Sequence, residues 1–205
     1  MKKISDSTIR RLSKYFRSLE QLVERNIETV SSDQLAEMDG ITSAQVRKDL
    51  SFFGTFGKRG LGYKTDELKD QIGEILGLNR EWNVAIVGAG NIGRALVSFE
   101  EFKKQGFRVK LVFDSDAAKQ GLKIGHLQVQ SPQKMKDLVT SEKIDIAIIA
   151  VPMNSAQRVA DELMDAGIKA ILNFAPTSIK VRDGVHVKNE NTAIEIEALS
   201  YFLNQ

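Results

Sequence analysis

The fold is decided by Asn83-Val-Ala-Ile-Val-Gly-Ala-Gly-Asn-Ile-Gly93, an apolar run that leads directly into a glycine-rich turn. A short and almost wholly apolar segment is typical of a parallel strand that is covered on both faces. The spacing Gly88-x-Gly90-x-x-Gly93, placed between a strand and a helix, is the fingerprint of a βαβ unit that binds dinucleotides. The stretch therefore predicts an α/β fold with a doubly wound, parallel, Rossmann-type sheet in this part of the chain.

The next residues supply the second strand of the unit and its acidic residue. A helix that carries Phe99 follows the glycines, and Arg108–Phe113 then reads as a strand that ends at Asp114. An acid at this strand end accepts hydrogen bonds from the adenosine ribose hydroxyls of NAD. Ser115 and Asp116 come next, where a 2′-phosphate would call for an arginine, so we predict NAD(H) rather than NADP(H) as the ligand.

Two more apolar runs, at 145–152 and 168–174, read as buried strands of the same sheet. The loops that follow Val151 and Phe174 should leave the carboxyl edge of the sheet, where the ligands of such folds bind. The predicted cofactor-binding residues therefore lie in the glycine turn, at the acid and in these two loops: Gly88, Ala89, Gly90, Asn91, Ile92, Gly93, Asp114, Val151, Pro152, Asn173, Phe174 and Ala175. No cluster of side chains has the spacing of metal ligands, so no metal is predicted.

The N-terminal part carries the pattern of a helix-turn-helix. Apolar residues recur every three or four positions over about 7–26, which predicts an amphipathic helix. Two candidate capping boxes, Ser31 with Gln34 and Thr42 with Gln45, each open a short helix. Two short helices joined by a tight turn predict a module that binds double-stranded DNA.

The third helix, over about 42–53, has an inner and an outer side. Val46, Leu50 and Phe53 fall on one stripe that should be buried, while Lys48 points the opposite way. Glycines then alternate with aromatic residues, which reads as a two-stranded wing. The residues expected to meet DNA lie on the outer side of the helix and on the wing, including its basic tip: Ser43, Gln45, Arg47, Lys48, Ser51, Lys58, Arg59 and Tyr63. The alternative is a solvated basic face on an ordinary three-helix domain.

Length and charge fit two domains with different partners. The predicted boundaries are 1–80 for the winged-helix domain, including a connecting helix that Thr65 caps, and 81–205 for a Rossmann domain that binds NAD(H) and dimerises. Residues 1–65 carry an excess of Lys and Arg, as a phosphate-binding module would, whereas 66–205 carry an excess of Asp and Glu. No apolar run approaches the roughly 20 residues of a membrane helix, so we expect a cytoplasmic protein with no membrane partner.

Two further features concern catalysis and assembly. The chain has no cysteine, so a response to redox state would have to act through a bound cofactor. His126 and His186 lie outside any motif that would supply an acid–base partner, and no separate substrate domain remains, so we expect no enzyme activity. The last helix, over about 192–203, presents much apolar surface and is expected to pack on another subunit.

The chain resembles the Rex family of bacterial redox-sensing transcriptional repressors over essentially its whole length. The resemblance is carried by Gln45-Val-Arg-Lys-Asp-Leu-Ser-Phe-Phe-Gly54, Phe56-Gly-Lys-Arg-Gly-Leu-Gly-Tyr63, Gly88-Ala-Gly-Asn-Ile-Gly-Arg-Ala95, Ala166-Gly-Ile-Lys-Ala-Ile-Leu-Asn-Phe-Ala-Pro176 and Leu199-Ser-Tyr-Phe-Leu203. It implies a homodimer in which the C-terminal helix is exchanged between subunits. It also implies that NADH binding releases the winged helices from an inverted-repeat operator.

The resemblance further assigns roles by motif match. DNA contacts fall on Arg47, Lys48, Lys58 and Arg59, and the glycine turn together with Asp114 would hold NAD(H). NAD+ is implied to compete with NADH for the same site while leaving repression intact.

Three departures from the family pattern bear on the response to NADH. Family members often carry Tyr where this chain has Phe99, and Asp where it has Asn191. In the family these groups join a hydrogen-bond relay with the arginine that matches Arg17, so the relay cannot be the usual one here, although Glu190 could replace part of it. The loop 114–119 also lacks a proline that is common in the family, which concerns only the loop.

Three functions remain open on the sequence alone. The first is a repressor that responds to the NADH/NAD+ ratio. The second is a DNA-binding regulator of the same fold whose response to NADH is weakened or whose ligand has changed, as Phe99 and Asn191 suggest. The third is a small NAD-dependent oxidoreductase with a basic N-terminal domain, which would turn over NADH with a substrate.

Overall fold

The computed structural model describes residues 4–57 and 60–204, and the chain divides into two compact units on either side of the Arg80–Glu81 bond. The described part of the first unit has four helices and two short strands: α1 (Asp6–Glu24), β1 (Thr29–Val30), α2 (Ser32–Asp39), α3 (Ser43–Ser51), β2 (Tyr63–Lys64) and α4 (Thr65–Leu76). Its core lies where α1, α3 and α4 bring their apolar sides together, with Leu12, Leu50 and Ile72 almost wholly buried. Among the described residues, no helix combines the length and the apolar character needed to span a bilayer.

The two short helices and their turn form as the capping pattern predicts. The Ser31 hydroxyl accepts a hydrogen bond from the Gln34 amide at 3.1 Å, and the Gln34 side chain accepts one from the Ser31 amide at 2.8 Å, so the first capping box is confirmed. Gly40 ends α2 in the left-handed conformation, with φ 66°. The second box is only half formed, because Thr42 accepts from the Gln45 amide while the Gln45 side chain turns away to Asp49.

The strand pairing of the first unit differs from the predicted wing. β2 pairs antiparallel with β1, which precedes the helix-turn-helix, with Val30 opposite Tyr63. Residues 52–57 form a turn followed by irregular backbone and a bend rather than the other arm of a hairpin. The sequence pattern favours a strand partner close by in the chain, whereas the partner of β2 is β1, more than 30 residues earlier, of which Val30 is buried. Lys58 and Arg59, the predicted wing tip, lie outside the described residues.

The predicted cap of the connecting helix is also wrong. Thr65 is the first residue of α4 rather than its N-cap, a position that Lys64 occupies without a capping side chain. Because Lys64 still pairs with β1, the Thr65 amide is taken by the Glu28 carbonyl oxygen at 2.9 Å. The Thr65 hydroxyl is buried and makes no hydrogen bond, so strand pairing rather than capping sets the start of this helix.

One buried carboxylate ties α1 to α3. Asp49, on α3, accepts hydrogen bonds from Arg11 Nε at 2.5 Å and Nη2 at 2.8 Å, from the Tyr15 hydroxyl at 2.8 Å and from Gln45 Nε2 at 2.8 Å. Burial by itself would raise the pKa of Asp49, but the hydrogen bonds from Arg11, Tyr15 and Gln45 outweigh it and hold the pKa below its ordinary value. The carboxylate is therefore ionised and fully engaged in fixing the third helix against the first.

The second unit is a seven-stranded sheet with helices on it. The strand order is β5-β6-β4-β3-β7-β8-β9, and every neighbouring pair is parallel except β5 with β6. Its elements are β3 (Trp82–Val87), α5 (Asn91–Val97), α6 (Glu100–Lys104), β4 (Phe107–Phe113), β5 (Lys123–Ile124), β6 (Leu127–Gln130), a 3-10 turn (Pro132–Lys134), α7 (Met135–Ser141), β7 (Ile146–Ile149), α8 (Met153–Asp165), β8 (Ala170–Asn173), β9 (His186–Asn189) and α9 (Thr192–Leu203). The doubly wound parallel sheet is confirmed.

Two details of the second unit matter for the site. The helix after the glycine turn is interrupted: α5 ends at Val97, and Phe99 stands between it and α6 rather than on its apolar side. The strand order reverses at β3, which pairs with β4 on one side and β7 on the other. In open α/β sheets such a switch point opens a crevice at the carboxyl ends of the strands, where ligands bind.

We predict that Asp49→Ala destabilises the protein by about 1–3 kcal/mol, the cost of leaving a buried donor such as the Tyr15 hydroxyl unsatisfied, because the Arg11 side chain is 23% exposed and keeps contact with water. The substitution leaves the Arg11 guanidinium and the Tyr15 hydroxyl without their acceptor inside the domain. Urea unfolding followed by circular dichroism measures the change. Glu67→Ala, which removes an exposed ion pair with Lys64, serves as control and should leave the midpoint nearly unchanged. Equal effects of the two substitutions would contradict the assignment.

The stability that Asp49 contributes should depend on pH in one direction. Its folded-state pKa lies below that of the unfolded chain, so the contribution is complete above the unfolded-state value of about 3.9 and is lost as the pH falls through the folded-state pKa. The difference in unfolding free energy between wild type and Asp49→Asn should therefore be constant near neutral pH and shrink in acid. A difference that grows on acidification would refute the ionised state.

Candidate cofactor cavity and nucleic-acid interface

A cavity of about 650 Å³ lies at the switch point, along the carboxyl ends of β3, β4 and β7. It is bounded by the glycine turn, by the end of β4 and by the loops that follow β7 and β8. Eight of the predicted cofactor residues line it: Gly88, Gly90, Asn91, Ile92, Asp114, Val151, Pro152 and Phe174. Its volume is in the ordinary range for a small-molecule or cofactor site.

The three glycines of the turn differ in how much space surrounds them. A Cβ on Gly88 would lie 2.2 Å from the Ala150 carbonyl oxygen, and one on Gly93 would lie 1.9 Å from the Gly88 carbonyl oxygen, so both positions require glycine. A Cβ on Gly90 would meet nothing within 4 Å, because Gly90 faces the open cavity. The backbone is thus bare where a pyrophosphate would approach it, which fits the dinucleotide that the fingerprint implies.

Asp114 closes the glycine turn onto the end of β4. One carboxylate oxygen accepts from the Ala89 amide at 2.8 Å and from Lys119 Nζ at 3.2 Å, and the other accepts from the Asp116 amide at 2.9 Å. Burial would raise the pKa of Asp114, but these amides and the Lys119 ammonium outweigh it and lower the pKa. Since a carboxylate offers about four acceptor sites, one remains for a ribose hydroxyl.

Four predicted cofactor residues do not line the cavity. Ala89, Gly93, Asn173 and Ala175 lie behind its wall; Ala89, Asn173 and Ala175 are almost wholly buried. Asn173 uses its whole carboxamide within the protein, in hydrogen bonds to Ala175, Thr177 and Asn189. These residues hold the wall in place.

Sequence reasoning missed several residues that line the cavity near Asp114. Lys119, Pro132, Ser155, Arg158 and Glu162 line it together with Ser115. Arg158 and Glu162 form an ion pair of 2.7 Å one turn apart on α8. Ser155 lies close to Pro152 in sequence and was within reach of prediction, whereas Pro132 and Arg158 reach the cavity only through the packing of distant segments.

The outer side of α3 presents the predicted DNA-binding side chains. Arg47, Lys48 and Ser51 are exposed, and Ser43 is half-buried at the start of the helix. Arg47 Nη1 donates to the Ser32 hydroxyl at 2.8 Å, so this arginine lies across the first turn of α2. Described surface residues of α2 and α3 thus place cationic and hydroxyl groups side by side, as a phosphate backbone requires.

Two other predicted DNA contacts are placed differently. Gln45 is half-buried and donates to Asp49, so it supports the helix from within. Tyr63 is half-buried in β2, where burial raises the pKa of its hydroxyl and the nearby Arg47 charge opposes that rise. Both residues are half-buried and support the part of the domain that carries Arg47 and Lys48.

The residues of the expected relay lie in both units. Arg17, in the first unit, forms an ion pair of 3.1 Å with Glu20. In the second unit, Phe99 is half exposed and packs edge-to-face on Phe102, with 5.1 Å between ring centroids. The Asn191 side chain accepts from the Ala193 amide at 3.1 Å and so caps α9.

The last helix, α9, buries none of its own side chains. Its large apolar residues are all more than half exposed: Ile194, Ile196, Leu199, Tyr201, Phe202 and Leu203. A helix this apolar and this exposed is what an interface element looks like in an isolated chain. Among the described residues no group of His, Cys, Asp and Glu could hold a metal ion.

Comparison with known proteins agrees with the two-part structure. A family model described as "Putative DNA-binding protein N-terminus" matches residues 3–51, and one described as "CoA binding domain" matches residues 79–177. The redox-sensing transcriptional repressor Rex of Carboxydothermus hydrogenoformans is 48% identical over 97% of this chain and 96% of that protein. Rex of Thermosipho africanus is 46% identical over 98% of this chain and 96% of that protein.

Solved structures extend the likeness to three dimensions. RSP, a Rex-family repressor, in complex with NAD+ and operator DNA matches with a TM-score of 0.94 and 41% identity, over 100% of this chain and 94% of that one. RSP in complex with NADH matches with a TM-score of 0.89 and 39% identity, over 100% of this chain and 96% of that one. With its helix-turn-helix, its dinucleotide cavity and these relatives along its full length, the chain belongs to the Rex family of redox-sensing transcriptional repressors.

Proposed function

We propose that this protein is a transcriptional repressor that binds an inverted-repeat operator as a homodimer and leaves it when NADH occupies the Rossmann cavity. The observation that carries the proposal is the presence in one chain of a helix-turn-helix and a cavity with a bare glycine cradle. The structure with this fold that was solved with NAD+ and operator DNA, and its counterpart solved with NADH, support the same assignment. The relatives are named as repressors and not as enzymes.

On the DNA side, Arg47 and Lys48 are the groups that would reach the duplex from α3. Arg and Lys donate to guanine O6 and N7 or to phosphates, and the small Ser43 and Ser51 allow the helix to approach the groove. The Asp49 network holds the helix that carries these side chains, so operator binding depends on a buried ion pair that never touches DNA. Lys58 and Arg59, which lie outside the described residues, are proposed to add further contacts to the DNA.

On the cofactor side, the glycine turn would hold the pyrophosphate and Asp114 the adenosine ribose. Phe174 and Pro176 would form the wall at the other end of the cavity. NADH would act as a ligand and would not react. It would shift the protein between its DNA-binding and released conformations only to the extent that it binds one of them more tightly than the other. Three acidic groups, Asp114, Asp116 and Glu162, lie at the adenosine end beside two cations, Lys119 and Arg158. Lys119 is paired with Asp114 and Arg158 with Glu162, so neither cation is set aside for a 2′-phosphate, which supports NAD(H) over NADP(H).

The homodimer and the compartment are part of the same proposal. The exposed apolar side of α9 supports packing on a second copy, in which the exchange of this helix would bury it. A bacterial repressor meets its operator in the cytoplasm, which is the compartment we propose.

Operator binding should respond to NADH and not to NAD+. In fluorescence anisotropy with a labelled inverted-repeat duplex, NADH is expected to raise the apparent Kd by at least about fivefold, the lower range of allosteric coupling, while NAD+ leaves it unchanged. Lys48→Ala should weaken operator binding roughly tenfold, whereas the exposed Lys136→Ala, on the second unit, should not. Specific binding that ignores NADH would contradict the proposed switch, and substrate-dependent oxidation of NADH would favour an enzyme.

The changed relay should limit the size of the NADH effect. Phe99 lacks the hydroxyl and Asn191 lacks the charge that family members often carry there, which favours a response weaker than that of its relatives. Restoring both groups with Phe99→Tyr and Asn191→Asp is expected to increase the NADH-induced change in operator Kd. The same anisotropy titration measures it, and an unchanged ratio of the two Kd values would refute the idea.

A further inference from the structure

Asn173 joins the wall of the cavity to the segment that leads into α9. It is the last residue of β8 and is fully buried. Its Nδ2 donates to the Thr177 carbonyl oxygen at 2.7 Å and to Asn189 Oδ1 at 2.9 Å, with the Ala175 carbonyl oxygen further away at 3.3 Å. Its Oδ1 accepts from the Ala175 amide at 3.0 Å.

This arrangement permits only one orientation of the carboxamide. Its nitrogen faces three oxygen acceptors, and its oxygen faces an N–H group, so a flipped side chain would set oxygen against oxygen. An aspartate here would place a negative charge against the same acceptors. The position therefore requires the two donors and one acceptor of asparagine.

The first segment that Asn173 holds is the loop after β8. Hydrogen bonds at Ala175 and Thr177 fix both sides of Pro176, and Phe174 precedes them. Phe174 and Pro176 line the cavity. A ligand that contacts this part of the wall therefore acts on the loop. Among the described hydrogen bonds, the buried side chain that holds this loop is the carboxamide of Asn173.

The second segment is the end of β9. The Asn189 side chain accepts from Asn173, and the Glu190 amide donates to the Asn173 carbonyl oxygen at 2.8 Å. The next residue, Asn191, caps α9 through the Ala193 amide. One residue thus contacts both the loop that lines the cavity and the strand end that sets where the exposed apolar helix begins.

We propose that Asn173 is a positioning residue that transmits occupancy of the cavity to the first turn of α9, through its hydrogen bond to Asn189. The inference rests on the proposed function, since it names the route by which NADH reaches the proposed dimer helix. It gives a role to Asn189, an exposed residue at the end of a strand that no sequence motif singles out.

The test uses Asn189, because it lies outside the cavity wall and its side chain, among the described hydrogen bonds, contributes an acceptor alone. Asn189→Ala removes that acceptor while leaving Asn173 its bonds to the loop, and Asn189→Asp keeps an acceptor oxygen. His186→Ala, an exposed residue of the same strand, is the matched control. Each full-length protein is titrated with labelled operator in the presence and absence of NADH, and NADH affinity is measured separately by its fluorescence.

We expect Asn189→Ala to reduce the ratio of operator Kd with NADH to operator Kd without it by about fivefold, the effect of one hydrogen bond. NADH affinity and operator affinity without NADH should stay within about twofold of wild type, and Asn189→Asp and His186→Ala should keep the wild-type ratio. An unchanged ratio in Asn189→Ala overturns the inference and leaves the proposed function standing. A wild-type protein whose operator binding ignores NADH overturns the proposed function.

Hydrogen exchange provides a readout that does not involve DNA. NADH is expected to slow amide exchange over residues 190–198 in wild type and in Asn189→Asp, and to leave it unchanged in Asn189→Ala. If NADH slows exchange equally in wild type and Asn189→Ala, or in neither, the transmission through the hydrogen bond from Asn173 to Asn189 is refuted whatever the operator titration shows. Equal unfolding midpoints for the variants would confirm that the comparison concerns coupling and not stability.

Discussion

The second unit depends on a contact in which two stretches of backbone approach so closely that no side chain fits between them. The carbonyl oxygen of Gly88 lies where the first atom of any side chain at Gly93 would be, and Gly88 itself passes against Ala150. This approach brings α5 down onto β3 and draws the end of β7 beside the glycine turn. The cavity is the space that remains above it, and Gly90 is left bare at its floor.

The carboxylate of Asp114 lies beside this backbone contact and also helps to hold it. Asp114 is ionised although it is nearly buried, because the amides of Ala89 and Asp116 and the ammonium of Lys119 stabilise its negative form. The same carboxylate that would meet a ribose therefore also fastens the glycine turn to the neighbouring strand. Binding residues of this kind contribute to the fold before any ligand arrives, which keeps the site preorganised.

In the first unit, tertiary contacts hold the short helix α3 so that one of its sides faces outward. α3 has only nine residues and cannot be stable in isolation, so its orientation comes from tertiary contacts. Val46 and Leu50 bury its inner stripe, and Asp49 adds a charged anchor to Arg11 and Tyr15 of α1. A buried ion pair adds little net stability compared with an apolar core, but it fixes geometry, and geometry is what a DNA-reading helix needs.

The sequence by itself determined the features that depend on neighbouring residues. The apolar strands, the glycine spacing with Asp114 after the second strand, the Ser31–Gln34 capping box and the apolar last helix are all local patterns, and each formed as predicted. Only the tertiary structure decided which distant groups meet. It paired β2 with β1, turned Asp49 inward to Arg11 and Gln45 to Asp49, brought Arg158 to the cavity and placed Asn173 behind the cavity wall. The physical reason is that a hydrogen bond between residues 38 positions apart, such as that from Arg11 to Asp49, leaves no periodic trace in the chain and exists only once packing has brought the two groups together.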